Sequence, residues 1–365
     1  MTHIIPAFSD LPKFKKPVPM KPPLRDWDPV YLRRKAELPE KIFKLKSGKR
    51  LAYFTEGELN NLNKVVVCFP GAGFGKSCFT PREPIDGVYL ICIDDMGHGN
   101  SSQIDKPVDF GESVAEVMEL LDSLLGDKNF YVCGHSRGGV HAMQVAAHCS
   151  RQAKNLDAQT TNRVLGCAVI SSPCDLWHPK LSKEERKKLD PGSAYLINQR
   201  GWRGGFVRRM LKGLYYYPDK TKDFGFKRHK AGGYAYYKGS ETGGAPKCME
   251  SDHFFISRFL DGELHGANSE WALLLEFKGL FSHDGWFYDV GEITCPCFLY
   301  NETDSKKGEV PFVMMERNRD QISQAGGKAE LVIWNDHGHC SILMEFENIV
   351  HNLIRSKAAS SKYCD

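Results

Sequence analysis

The sequence predicts an α/β protein, a mostly parallel sheet with helices on both faces, interrupted once by a long insertion. Three observations carry this expectation. Short, fully apolar runs such as KVVVCF and VYLICI recur along the chain, as strands buried on both faces require. Segments with helical spacing separate several of them, which is the alternation of a parallel sheet. That alternation stops after Ser172 and resumes at TCPCFLYN, so residues 176–289 read as an insertion between two strands.

Taken in order, the first forty residues hold eight of the nineteen prolines and read as an extended basic arm. IFKLKSG and KRLAYFTEG form two strands around Ser47-Gly48, the pattern of a hairpin. KVVVCFPG and VYLICIDD follow as strands. Residues 111–126 place Val114, Val117, Met118, Leu121 and Leu125 at helical spacing. The strand FYVCGHS, a helix from Arg137 to His148 and the strand VLGCAVISS come next. Beyond the insertion, TCPCFLYNETD and AELVIWNDHGH are strands, while VPFVMMERNRDQISQAG and SILMEFENIVHNLIRSK are helices. The expected organisation is therefore an arm at 1–40, a core at 41–175 and 290–358, an insertion at 176–289 and a tail at 359–365.

With 41% hydrophobic and 26% charged residues among 365, the composition excludes a disordered chain, a collagen-like fibre and a disulfide-stapled miniprotein. No apolar run approaches the roughly 18 residues of a membrane span. The net charge of +4 is unevenly spread: +5 over residues 1–35, +10 over residues 180–230 and −11 over the remainder. Asymmetry of this kind points to an anionic partner. The twelve cysteines sit mostly inside apolar runs, as Cys68, Cys92 and Cys133 do, where a thiol acts as a small hydrophobe. Cys295-Pro-Cys297 has no second pair at zinc-ligand spacing, so no metal is expected, and a reducing, cytoplasmic setting is. The N-terminus lacks the features of a secretory signal.

The strongest local signal is Gly134-His135-Ser136-Arg137-Gly138, a G-x-S-x-G pattern between a strand and a helix. A sharp strand-to-helix turn leaves no room for side chains beside the serine, hence the flanking glycines, and it lifts the Ser136 hydroxyl above the sheet. The Arg137 N–H then lies at a helix N-terminus, where it can hold an oxyanion. A serine hydroxyl needs a base, itself oriented by an acid. The chain order expected is serine, acid, histidine. Asn301-Glu302-Thr303-Asp304 ends one late strand and His337-Gly338-His339 ends the last. Asp304 and His339 are the preferred acid and base, with Glu302 and His337 as alternatives. The loop Phe69-Pro70-Gly71-Ala72-Gly73 supplies a second oxyanion donor, the N–H of Ala72.

These residues resemble the α/β-hydrolase-fold proteins of the serine esterase/lipase superfamily, over roughly residues 42–175 and 286–357. The resemblance rests on the elbow at Gly134–Gly138, the loop at Pro70–Gly73, Asp95-Met-Gly-His98-Gly-Asn-Ser101, the acid loop ending in Asp304, and Gly338-His339-Cys340-Ser341. It implies an eight-stranded sheet, a variable cap at 176–289 and no cofactor. It also implies hydrolysis of a small-molecule ester through an acyl-enzyme; thioesters and amides share that mechanism. Two departures stand out. Pro70-Gly71 replaces the His-Gly often found in the family. Ser305-Lys-Lys-Gly-Glu309 separates the acid from Val310-Pro311, which leaves Glu302 open as the acid.

Three rival readings have specific motifs. Pro70-Gly-Ala-Gly-Phe-Gly75-Lys76-Ser77 resembles a P-loop, but Pro70 stands where Gly is required, and Pro81 and Pro84 suit a helix poorly. The basic, aromatic stretch from Arg200 to Tyr237 has the composition of a single-strand binder, although a solvated cap face above an aromatic pocket explains it better, so no nucleic-acid partner is expected. A catalytically inactive hydrolase scaffold that binds a ligand or partner is the alternative function, since fold does not fix activity.

Overall fold

Side-chain alternation along the central strands decides the layering. The computed structural model describes residues 27–60, 64–155, 162–189, 252–264, 266, 270–281, 285–302, 312–334, 337, 339 and 341–360. Eight strands form one sheet: β1 (Lys41–Lys44), β2 (Arg50–Glu56), β3 (Lys64–Phe69), β4 (Val88–Asp94), β5 (Phe130–His135), β6 (Val164–Ile170), β7 (Cys297–Asn301) and β8 (Ala329–Ile333). Their spatial order is β1-β2-β4-β3-β5-β6-β7-β8. β2 runs antiparallel to both β1 and β4, and every other pairing is parallel. This is the mostly parallel eight-stranded sheet expected from the sequence.

All seven residues of β4 and all but Lys64 of β3 are buried, which is why these strands carry no polar alternation. Val65, Val67 and Phe69 face one layer, with α2 (Phe110–Leu125), α3 (Arg137–Asn155) and α7 (Phe312–Gln324). Val66 and Cys68 face the other, with α8 (Phe346–Ser360) and α5 (His253–Leu264). Asp109 starts α2 by accepting from the Gly111 and Glu112 N–H groups, and Gly126 at φ +55° stops it. The expected hairpin at Ser47-Gly48 is present: Gly48 takes φ +85°, and the Leu45 N–H donates to the Lys49 carbonyl at 2.9 Å.

The N-terminal region departs from the expected extended arm. Residues 1–26 lie outside the described residues, but Pro29–Glu37 form a helix, α1. Pro29 fits its first turn, where the missing N–H has no helical partner to lose, and the Asp28 carboxylate accepts from the Tyr31 N–H at 2.9 Å. α1 packs on α5 through Tyr31, whose hydroxyl donates to Asp261 at 2.7 Å. Of the expected insertion, the described parts include α4 (Lys183–Leu189), α5 and α6 (Glu270–Leu280). The basic, aromatic stretch from Arg200 to Tyr237 lies outside the described residues.

Candidate active site

The C-terminal ends of β3, β5, β6, β7 and β8 meet at one edge of the sheet, where open α/β sheets place their ligands. Ser136 is the single residue between β5 and α3, and its φ is +54°. Among the described non-glycine residues only Ser136 and Ser171 have positive φ. Such a conformation costs on the order of 1–3 kcal/mol and persists only where the surroundings hold it. Here the Ser136 N–H donates to the Ile170 carbonyl at 2.7 Å, which ties the turn to β6. A Cβ at Gly134 would stand 1.9 Å from the Gly138 oxygen, and one at Gly138 would stand 2.0 Å from the Phe69 oxygen. Neither neighbour is a movable side chain. The glycines of the motif are there because backbone fills the space.

The glycine loop after β3 passes directly over this turn. A Cβ at Gly71 would meet the Ser136 Cβ at 3.2 Å, and Gly73 adopts φ +76°. Ser136 and Ala72 are both partly exposed.

His339 follows β8, with its Nδ1 3.8 Å from Glu302 Oε1. That is an ion-pair distance, longer than a hydrogen bond. Glu302 directly follows β7, is 3% exposed, and takes the Ser171 hydroxyl on its other carboxylate oxygen. Burial acts to raise the Glu302 pKa, but the adjacent His339 and the Ser171 hydroxyl outweigh it, so the carboxyl stays below its ordinary value. Asp304, the preferred acid, lies outside the described residues. The carboxylate found beside His339 is the alternative, Glu302. His337 turns elsewhere, with Nε2 3.6 Å from Glu345 Oε1. His135, the last residue of β5, is buried with Nε2 2.8 Å from the His339 carbonyl oxygen.

Behind the elbow lies a charge cluster that the sequence reading missed. The Arg137 side chain is 1% exposed, with Nε 2.5 Å from Glu276 Oε1 and an Nη 2.6 Å from Asp95 Oδ2. His141 Nδ1 stands 2.8 Å from Asp95 Oδ1, and His98 Nε2 stands 3.3 Å from Glu276 Oε2. Burial alone would raise both carboxyl pKa values; Arg137 first, then the histidines, reverse that and lower them. Burial would likewise lower His98, yet Glu276 raises it. Asp95 and His98 lie in a quoted motif and Arg137 in another. His141 lies within α3 and Glu276 on α6, in a stretch without a recognisable pattern, so no signal joined the five.

The P-loop-like lysine is also accounted for. Lys76 Nζ lies 2.5 Å from Asp94 Oδ2 and 2.6 Å from Glu40 Oε2, and a 3-10 turn of four residues, not an α-helix, follows Gly75. Among the described residues no group of three or more His, Cys, Asp or Glu side chains is placed to hold a metal ion. Nor is any helix among them long and apolar enough to cross a membrane.

Comparisons with known proteins place these features. The model of the Alpha/beta hydrolase family matches residues 66–350, and the chain belongs to that family. Membership supports a hydrolase activity on a small-molecule substrate. A comparison with curated proteins found no match. Among solved structures, the chain is similar to an esterase from Exiguobacterium antarcticum, at 17% identity and a TM-score of 0.53, covering 87% of this chain and 99% of the other. It is also similar to the enol-lactonase from Burkholderia xenovorans LB400, at 15% identity and a TM-score of 0.52, covering 86% and 99%. The thioesterase domain from the curacin biosynthetic pathway aligns at 14% identity and a TM-score of 0.51, covering 87% and 99%. At these identities the likeness concerns the fold.

Proposed function

We propose that the chain is a serine hydrolase that cleaves a carboxylic ester through an acyl-enzyme intermediate. The observation that carries the reading is Ser136, held at φ +54° on the turn between β5 and α3. The sharp turn leaves Ser136 partly exposed at the end of β5, as a nucleophile lifted above the sheet requires. Ser171, the other described non-glycine residue with positive φ, is buried. In this mechanism Ser136 Oγ attacks the carbonyl carbon and His339 Nε2 takes its proton. The N–H groups of Ala72 and Arg137 hold the resulting oxyanion. His339 then returns the proton to the leaving alcohol, and water, activated by the same imidazole, releases the acid. Glu302 takes the role first given to Asp304: its carboxylate faces His339 Nδ1 and stabilises the imidazolium formed in each half-reaction.

The described residues of the insertion at 176–289 serve as a cap over this edge. Their support is proximity: a Cβ at Gly266 would meet the Gly73 oxygen at 1.8 Å, and one at Gly97 would meet Ala272 at 3.1 Å. The basic stretch at 180–230 then favours anionic esters, and kcat/KM for them falls as ionic strength rises. The nine free, buried cysteines among the described residues fit a reducing, cytoplasmic setting.

The inactive-scaffold reading draws on one observation, the 3.8 Å gap between His339 and Glu302. Catalytic hydrogen bonds are often long before substrate binds, and the gap suits that account equally. A fluorophosphonate probe separates the two. Wild-type protein takes the label and Ser136→Ala does not; a folded wild-type protein that takes none refutes the hydrolase reading.

A further inference from the structure

His135 touches two loops at once, the one that carries His339 and the one at Gly71, and the reaction described above gives it no task. It precedes Ser136 directly and is 1% exposed. Its Nε2 lies 2.8 Å from the carbonyl oxygen of His339. A carbonyl only accepts, so Nε2 carries the hydrogen and the tautomer is set. Its Nδ1 faces the glycine loop, where a Cβ at Gly71 would approach to 3.0 Å. The ring also packs on that of His339, with centroids 4.7 Å apart and planes tilted by 44°. Burial first, and the neighbouring His339 second, push its pKa well below the usual imidazole value.

We propose that His135 is a positioning residue: its Nε2–H donates to the His339 carbonyl and so anchors the histidine loop over Ser136 from the nucleophile's own strand. The inference rests on the hydrolase reading. A neutral donor suits the place. His339 becomes an imidazolium during each half-reaction, and a cation 4.7 Å away would oppose that charge. A neutral N–H gives the anchor without the repulsion. Because Ser136 directly follows His135, the last residue of β5, a shift of the strand moves nucleophile and anchor together, which preserves the distance that proton transfer needs.

The test compares His135→Gln, His135→Asn and His135→Phe in the full chain. The glutamine amide nitrogen reaches as far as imidazole Nε2, whereas that of asparagine stops near the position of Nδ1. On an ester that the wild type hydrolyses, the Asn and Phe variants should lose about 10- to 100-fold in kcat with KM little changed. The Gln variant should recover most of the loss, and labelling of Ser136 should follow the same order. Hydrogen exchange in residues 335–345 should rise in the Asn and Phe variants and stay near wild type in Gln, with melting temperatures confirming that all three fold. Three variants with wild-type kcat overturn the anchor, as does a loss carried by KM or unaltered exchange in the Asn and Phe variants. These failures occur in a wild type that takes the probe. A wild type that takes none overturns the hydrolase reading itself, so the two are told apart.

Discussion

Replacing Arg137 by methionine removes the single guanidinium that lies between Asp95 and Glu276. The carboxylates of Asp95 and Glu276 are 2% and 0% exposed, so water cannot take the place of the lost charge. Breaking a buried ion pair by deleting one partner costs about 3–5 kcal/mol, and here two carboxylates lose their guanidinium in one change and keep only His141 and His98 beside them. We therefore expect about 4 kcal/mol of lost stability at pH 7. Converted at the lower end of the usual scale for large domains, that is a fall of roughly 8 °C in Tm. The sign of the pH dependence follows from the two carboxyls. In the wild type their pKa values are lowered, so their contribution is present above the unfolded values near 4 and is lost below them. In the variant only His141 and His98 still oppose burial at these carboxyls, so their pKa values rise from those of the wild type, and the penalty is largest at neutral pH and shrinks as the groups protonate. Urea unfolding at pH 7, 6, 5 and 4 measures both. The gap between the two proteins should be widest at pH 7 and close towards pH 4. A Tm within 1 °C of wild type at pH 7, or a gap independent of pH, would refute the argument.

Glu302→Gln should lower kcat by about 10²- to 10⁴-fold, since the imidazolium loses its carboxylate, while Asp304→Asn stays within about twofold; the reverse order restores Asp304 as the acid. His98 has a raised pKa, so its ion pair with Glu276 stabilises fully below the unfolded value near 6.5 and is lost as pH rises through the folded value. Melting profiles above pH 6.5 should therefore decline more steeply in wild type than in His98→Gln, and parallel profiles would contradict this. Asp28→Ala should cost about 1 kcal/mol through loss of the α1 N-cap, read from the urea midpoint, with no change beyond error as the opposing result.

How much of this could be read beforehand varies from residue to residue. Ser136 could, because the turn is built from consecutive residues and Gly134 answers to the Gly138 backbone four positions away, although Gly138 answers to Phe69 on β3. The strands could as well, since β3 and β4 are apolar on both faces wherever they lie in the sheet. The acid was open between two residues of one loop. Pairing of Asn301 with Ile333 ends β7 immediately before Glu302, and this brings that carboxylate to Ser171 and His339. A strand's last paired residue is a property of its neighbours, so the sequence of that loop did not show which of its carboxylates lies beside His339, while Asp304 lies outside the described residues. α1 was misjudged because prolines dominate the region's composition, whereas the one at Pro29 sits where a helix tolerates it.

By itself, then, the sequence determined the βα rhythm and the strained turn at Ser136, both of which depend on apolar period and backbone geometry over a few residues. Only the tertiary structure decided which charges meet. Arg137 finds Asp95 across 42 positions and Glu276 across 139, and His135 finds the His339 carbonyl across 204. A buried ionised group must have a partner to remain charged, yet nothing in its local sequence says which one. Chain folding supplies that choice by bringing the ends of distant strands and the helices beside them to one edge of the sheet.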